Sequence, residues 1–188
     1  GLIGDNGAGK STLLKIISRI TYPSAGYIKV IGRVSSILEV GVGFHPELNG
    51  KENIYLLGAI QGMRRSEIQN HFDDIINFSE LTKSELNTPI KRYSTGMVIK
   101  LGVAIAIYLE SEIVILDEIL AVVDKNFKEK AYNAILKKIR EKNKTLIFVS
   151  HQLDSVERLC ERAILIKNGS IVSDGNTKEV IKIYNDFY

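Results

Sequence analysis

A chain of 188 residues, 45% of them hydrophobic, amounts to one domain and is long enough to bury a core. Its 25 basic and 22 acidic side chains leave a net charge of only +3, and the basic residues are scattered, which speaks against a nucleic-acid partner. The single cysteine, Cys160, excludes an internal disulfide, reads as a buried inert thiol and fits a reducing compartment.

The chain opens on Gly1-Leu2-Ile3-Gly4 rather than Met and has no signal-peptide pattern. Leu2 and Ile3 read as the end of a strand, so further strands of an N-terminal sheet are expected ahead of Gly1. After a glycine-rich turn, residues 11–20 read as a helix, and Tyr22-Pro23-Ser24-Ala25-Gly26 as a turn. Residues 27–31 and 33–38 read as short strands around Gly32, and 39–50 as a loop. Two helices are predicted at 51–63 and 65–78, with Ile54, Leu57, Ile60 and Met63 on one face. A polar loop is predicted from Thr82 to Tyr93, after which Ser94 can cap a long apolar helix ending near Leu109. The uncharged stretch 101–109 is far shorter than the roughly 20 residues needed to span a bilayer, so any path across a membrane would belong to another chain.

Ile113-Val114-Ile115-Leu116 has the unbroken apolar character of a strand covered on both faces. A helix at 125–142, a strand at 145–149 and a helix at 152–160 follow. Residues 163–166 and 171–173 flank Asn168-Gly169, a hairpin signal, and a last helix starts near Thr177. This alternation predicts an α/β fold, a mostly parallel sheet with helices on both faces. Residues 51–108 lack any strand signal and read as a helical insertion, leaving a core of 1–50 and 109–188.

Gly4-Asp5-Asn6-Gly7-Ala8-Gly9-Lys10-Ser11 carries Gly, Gly-Lys and Ser at the spacing of a phosphate-binding loop. Glycines let successive amides turn inward, and the following helix N-terminus favours negative charge. Lys10 can set its ammonium against the β- and γ-phosphates, and Ser11 can offer Mg²⁺ an oxygen ligand. Such a loop alone does not separate kinases, GTPases and ATPases. Asp117 and Glu118 end the apolar run 113–116, and ligands in an open parallel sheet bind at the carboxyl ends of strands. Asp117 is therefore a candidate to hold Mg²⁺ through water, and Glu118 to take a proton from an attacking water. His151 follows the strand 145–149 and is a candidate to contact the γ-phosphate or that water. Asp124 is a helix cap, with a subunit contact as a second possible role. His45 and His71 have no such placement.

Tyr93-Ser94-Thr95-Gly96-Met97 completes an order that resembles the ABC ATPases: phosphate loop, helical insertion, short Ser/Gly motif, acidic strand end, Asp124 and then His151. The usual family motif is Leu-Ser-Gly-Gly-Gln, of which Ser94 and Gly96 match. The forms at 93–97, at Arg33 to Leu48 and at Asp117 to Asp124 are similar to those of ABC exporters of polymeric glycans: O-antigen, teichoic acid or capsule. The resemblance implies a P-loop NTPase (RecA-like) parallel core with an inserted helical ABC subdomain. It implies ATP with Mg²⁺ on residues 4–12, Thr12 included, and ATP hydrolysis coupled to transport. It further implies a homodimer in which the motif at 93–97 meets the partner copy's γ-phosphate. An integral membrane permease subunit would be the second partner, with the chain peripheral at the cytoplasmic face of the plasma membrane and no nucleic acid bound. The family's glutamine ahead of the insertion is not visible, and Glu39 lies near its position. The adenine-stacking aromatic is expected ahead of Gly1. Phe44, Pro46 and Leu48 lie in the region that meets the membrane subunit in relatives.

Three rivals remain. One is a soluble ABC-type ATPase acting on the ribosome or nucleic acid, against which stand a short insertion and a single cassette. The second is a P-loop GTPase or small-molecule kinase; a GTPase would offer Asn-Lys-x-Asp, which Asn143-Lys144-Thr145-Leu146 fails at its last position. A non-hydrolysing nucleotide sensor would not need Glu118 and His151.

Overall fold

The apolar run Ile113–Leu116 forms a strand buried over most of its length, whereas the polar Ser170–Asn176 forms a strand that is mostly exposed. In this computed structural model, which describes residues 1–37, 43–60, 62–108, 111–116, 122–142 and 144–187, the strands are β1 (Leu2–Ile3), β2 (Val34–Ile37), β3 (Ile113–Leu116), β4 (Thr145–Phe148), β5 (Arg162–Lys167) and β6 (Ser170–Asn176). The helices are α1 (Lys10–Ile17), α2 (Gly50–Ile60), α3 (Arg65–Ser79), α4 (Lys83–Leu86), α5 (Thr95–Tyr108), α6 (Lys125–Lys142), α7 (Leu153–Leu159) and α8 (Thr177–Asp186).

Strand β3 pairs in parallel with β2, Val34 opposite Ile113, and with β4, Leu116 opposite Phe148. Strand β1 pairs in parallel with β5, Leu2 opposite Ile164, and β5 with β6 in an antiparallel hairpin. A parallel bridge from Leu2 to Val149 joins the two ladders, giving the lateral order β2-β3-β4-β1-β5-β6. The carboxyl ends of β1, β3 and β4 therefore lie along one edge. At about 4.8 Å between neighbouring strands, β1 and β3 are separated by about 10 Å.

Side chains alternate across the sheet, and the core divides accordingly. Leu2, Ile115, Val149 and Ile166 meet Leu14 of α1 on one face. Ile3, Val114, Leu116, Phe148 and Leu165 join the larger cluster on the other, with Phe127, Ala131 and Ile135 of α6, Val156 of α7 and Val180 of α8. That cluster continues into the helical segment, where α3 packs along α5. Helix α5 buries Ile99, Leu101, Val103, Ala104, Ile105, Ala106 and Ile107, so it is enclosed on most sides.

The expected strand at 27–31 is not formed. Tyr27 is 94% and Ile31 77% exposed, and no strand runs beside them among the described residues. β-Propensity without a partner leaves the ladder unsatisfied. The polar stretch 82–93 is more ordered than expected. Thr82 and Glu85 form a reciprocal capping box on α4, and Ile90–Arg92 form a 3₁₀ turn. At the hairpin tip, Asn168 and Gly169 take φ of 50° and 77°, as a tight two-residue turn demands.

Candidate nucleotide-binding site

The loop leaving β1 turns at Gly4, where φ is 150° and an added Cβ would collide with the Ile166 carbonyl of β5. It then runs over the hairpin tip: the Gly169 amide donates to the Ala8 carbonyl at 3.1 Å. The Ala8 amide donates to the Asp5 carbonyl at 3.2 Å. Gly9, at φ 102°, is the N-cap of α1 and gives it no side-chain cap. The first intrahelical bond runs from the Leu13 amide to the Gly9 carbonyl at 2.9 Å, so the amides of Lys10, Ser11 and Thr12 precede it and have no acceptor within the helix.

Lys10 is only 7% exposed. Its ammonium turns back into the loop and donates to the carbonyls of Gly4 at 2.7 Å and Asp5 at 2.8 Å. A buried cation thus lies inside the turn next to an uncapped helix N-terminus. Asn6, Gly7, Ser11 and Thr12 are exposed beside it. This donor set suits a polyphosphate anion. The exposed Ser11 hydroxyl, one residue from the ammonium, is the kind of hard oxygen that Mg²⁺ takes. Sequence reasoning missed Tyr184. This α8 residue hydrogen-bonds the Asp5 carboxylate, and burial, with that negative charge, raises its phenol pKa.

Two residues past the Leu2–Val149 bridge, one strand reaches Gly4 and the other His151. The fold therefore brings exposed His151 to the edge where the loop begins. Its neighbour Ser150 is buried, and its hydroxyl accepts from the Gln152 amide at 3.0 Å. Leu116 ends β3 on the same edge, directly before Asp117 in the sequence. Asp117, Glu118 and Glu39 lie outside the described residues.

Ser94 caps α5, accepting from the Met97 amide at 3.2 Å, and is exposed together with Thr95. Gly96 has open space where a Cβ would stand, with only the Ser94 hydroxyl at 3.9 Å. Tyr93 is half-buried, and its hydroxyl donates to the Glu85 carbonyl at 2.7 Å. Burial, then the charge of Glu85, pushes its pKa up to about 12.

Asp124 caps α6, accepting from the Phe127 amide at 2.9 Å, and pairs with Lys100 of α5 at 2.9 Å. Lys100 also binds Glu80 at 2.8 Å, and Glu80 binds Lys130 at 3.0 Å. The helix that begins at Ser94 is thereby tied to both α3 and α6. The hydrogen bond from Lys100 lowers the Glu80 pKa more than burial raises it, with Lys130 adding to the fall. Burial opposes the charge of Lys100, but its bonds to Glu80 and Asp124 outweigh this and raise its pKa. A lowered carboxylate stabilises the fold above its unfolded pKa and loses that contribution as pH falls through the folded value. A raised lysine does so below its unfolded pKa and loses it as pH rises through the folded value. Lys100→Met should therefore cause a modest fall in the denaturant midpoint at neutral pH. The difference from wild type should shrink once acid protonates Glu80. Equal midpoints at neutral pH would refute a stabilising network.

The model of the ABC transporter family matches residues 1–121. The chain belongs to this family. It is an ABC ATPase domain, and its fold agrees: it matches the "Structure of ATP binding subunit of ABC transporter" with a TM-score of 0.81 and 26% identity, over 98% of this chain and 80% of that one. Among curated relatives, the O-antigen export system ATP-binding protein RfbB of Klebsiella pneumoniae is 44% identical over 97% of this ABC domain and 74% of the relative. The teichoic acids export ATP-binding protein TagH of Enterococcus faecalis is 42% identical over 100% of the domain, which spans 41% of that protein. No described helix is long and apolar enough to cross a membrane.

Proposed function

We propose that this chain is the ATP-hydrolysing subunit of an ABC exporter that moves a cell-surface polysaccharide of the O-antigen, teichoic acid or capsule kind. The observation that carries this reading is identity above 40%, over nearly the whole chain, to ATP-binding proteins named for O-antigen and teichoic acid export. In this reading the residues around the phosphate loop bind ATP, and two copies of the chain join an integral membrane permease that anchors them at the cytoplasmic face. The core 1–50 and 109–188 does the nucleotide chemistry, and the segment leading into the helical part (about 51–108), with Phe44, Pro46 and Leu48, meets the permease.

Residues 4–12 grip the triphosphate through their amides, and Lys10 exchanges its loop carbonyls for β- and γ-phosphate oxygens. Ser11, with Asp117 through a water, would hold Mg²⁺, which when bound supplies charge neutralisation on the phosphates. Glu118 takes the proton of the attacking water, and His151 steadies that water or the γ-phosphate. The partner copy's Ser94 hydroxyl and α5 N-terminus approach the γ-phosphate from the other side. Positioning and charge account for most of the acceleration in chemistry of this type.

The test is purification of the intact protein from its native membrane, followed by reconstitution of the complex in vesicles. The expected result is a co-purifying integral membrane protein and ATP-dependent movement of a lipid-linked glycan into the lumen. ATP turnover stimulated by ribosomes or DNA, with no membrane partner, would overturn the reading in favour of a soluble ABC-type ATPase.

A further inference from the structure

Asn53, in the first turns of α2, is fully buried. Its side-chain carbonyl accepts from the His45 amide at 2.7 Å. Its side-chain amide donates to the backbone carbonyls of His45 at 3.1 Å and of Leu48 and Asn49 at 3.0 Å. One side chain thus gathers the whole turn 45–49, while Asn49 and Glu52 cap α2 reciprocally at 3.0 and 2.8 Å. The gathered turn is zipped to the segment leading into the Ser94 motif. The Ile90 amide donates to the Leu48 carbonyl at 2.9 Å and the Lys91 amide to the Pro46 carbonyl at 3.0 Å. Asn49 and Pro89 form an antiparallel bridge, and exposed Glu47 pairs with Lys91 at 2.7 Å. Gly50 lies against the Tyr93 hydroxyl, where an added Cβ would collide with it.

We propose that Asn53 is a positioning residue that makes the turn 45–49 and the segment 89–94 one rigid piece, so that the Ser94 hydroxyl and the start of α5 are held where a second copy's nucleotide needs them. This rests on the reading of Ser94 and Gly96 given above. The chemistry requires an amide. An Asp at this position can still accept from the His45 amide, but it sets a carboxylate against three carbonyl oxygens and removes the side-chain donor they share, leaving each with its backbone donor alone. The same piece joins the exposed outer turn to the ATP-facing motif, so a push on Pro46 or Glu47 reaches Ser94 without passing through the sheet. Phe44 serves this packing too. It is half-buried against α5, its ring 3.6 Å from the Cβ position of Gly102.

The test compares Asn53→Asp with Ser94→Ala in the intact protein, each assayed for ATP-binding stoichiometry and for turnover. The expected result for Asn53→Asp is wild-type stoichiometry and affinity for ATP, because the phosphate loop is built from other elements, with turnover down by about tenfold or more. A disulfide between Glu47→Cys and Lys91→Cys, in a Cys160→Ser background, replaces the zipper covalently. Its oxidation should restore turnover in Asn53→Asp, its reduction should abolish that rescue, and in the otherwise unchanged chain oxidation should leave turnover intact. The inference is overturned if Asn53→Asp turns over ATP normally while Ser94→Ala is crippled. It is equally overturned if oxidation stops turnover in the otherwise unchanged chain, since the two segments would then have to separate during the cycle. Normal turnover by Ser94→Ala would instead fault the role assigned to that motif. Should Asn53→Asp fail to bind ATP at all, the disulfide in the unchanged chain decides by itself.

Discussion

Lys10→Ala should weaken ATP binding by about 10-fold to 100-fold, the size expected for losing one or two hydrogen bonds to a charged group. The Lys10 ammonium is buried at the mouth of an uncapped helix and already donates to the Gly4 and Asp5 carbonyls at 2.7 and 2.8 Å. Its removal takes away the one side-chain cation described inside the loop and strips those carbonyls of a donor, so the loop loses both charge and shape. Calorimetric titration with ATP, run beside a thermal melt, separates the two. A fall in affinity with a near-normal melt supports the phosphate cradle. Unchanged affinity in a folded protein would show that the loop is only a turn.

Glu118→Gln should do the reverse: bind ATP as the wild type does, yet lose turnover by about 10²–10⁴-fold, the contribution of a positioned general base. Gln keeps the shape and a carbonyl oxygen but cannot accept the proton. The residue follows Leu116, whose strand ends on the edge from which the phosphate loop rises, about two strand spacings away. Single-turnover hydrolysis measured alongside nucleotide affinity gives the answer. Hydrolysis at the wild-type rate would remove Glu118 from the role of base. A defect confined to affinity would move it to the nucleotide's grip instead.

What could be read from the sequence was what local physics controls. Gly4 to Ser11 specify a left-handed, amide-rich turn and a helix start within eight consecutive positions. Ser94 and Asp124 were legible as caps because a cap acts on its own next three residues, and both accept from the amide at that offset. Thr82 and Glu85 carried an equally local signal that went unread among polar neighbours. The strand expected at 27–31 failed because a strand is a relation between two segments, and propensity supplies only one of them. The contacts that join distant parts of the chain had no sequence signature. Nothing in the sequence around Asn53, Lys100 or Tyr184 sets them apart from other polar positions of a helix. Their roles depend on which segments the fold brings beside them.

Hairpin tips in most domains are where a tag, a label or a few extra residues can be added at little cost. The Asn168–Gly169 tip is different. It props the phosphate loop from beneath through the Gly169 amide, and the Gly169 Cα lies 3.8 Å from where a Cβ on Gly9 would stand. Lengthening this turn would lift the floor of the nucleotide site, so a fluorophore or affinity handle belongs elsewhere on the surface.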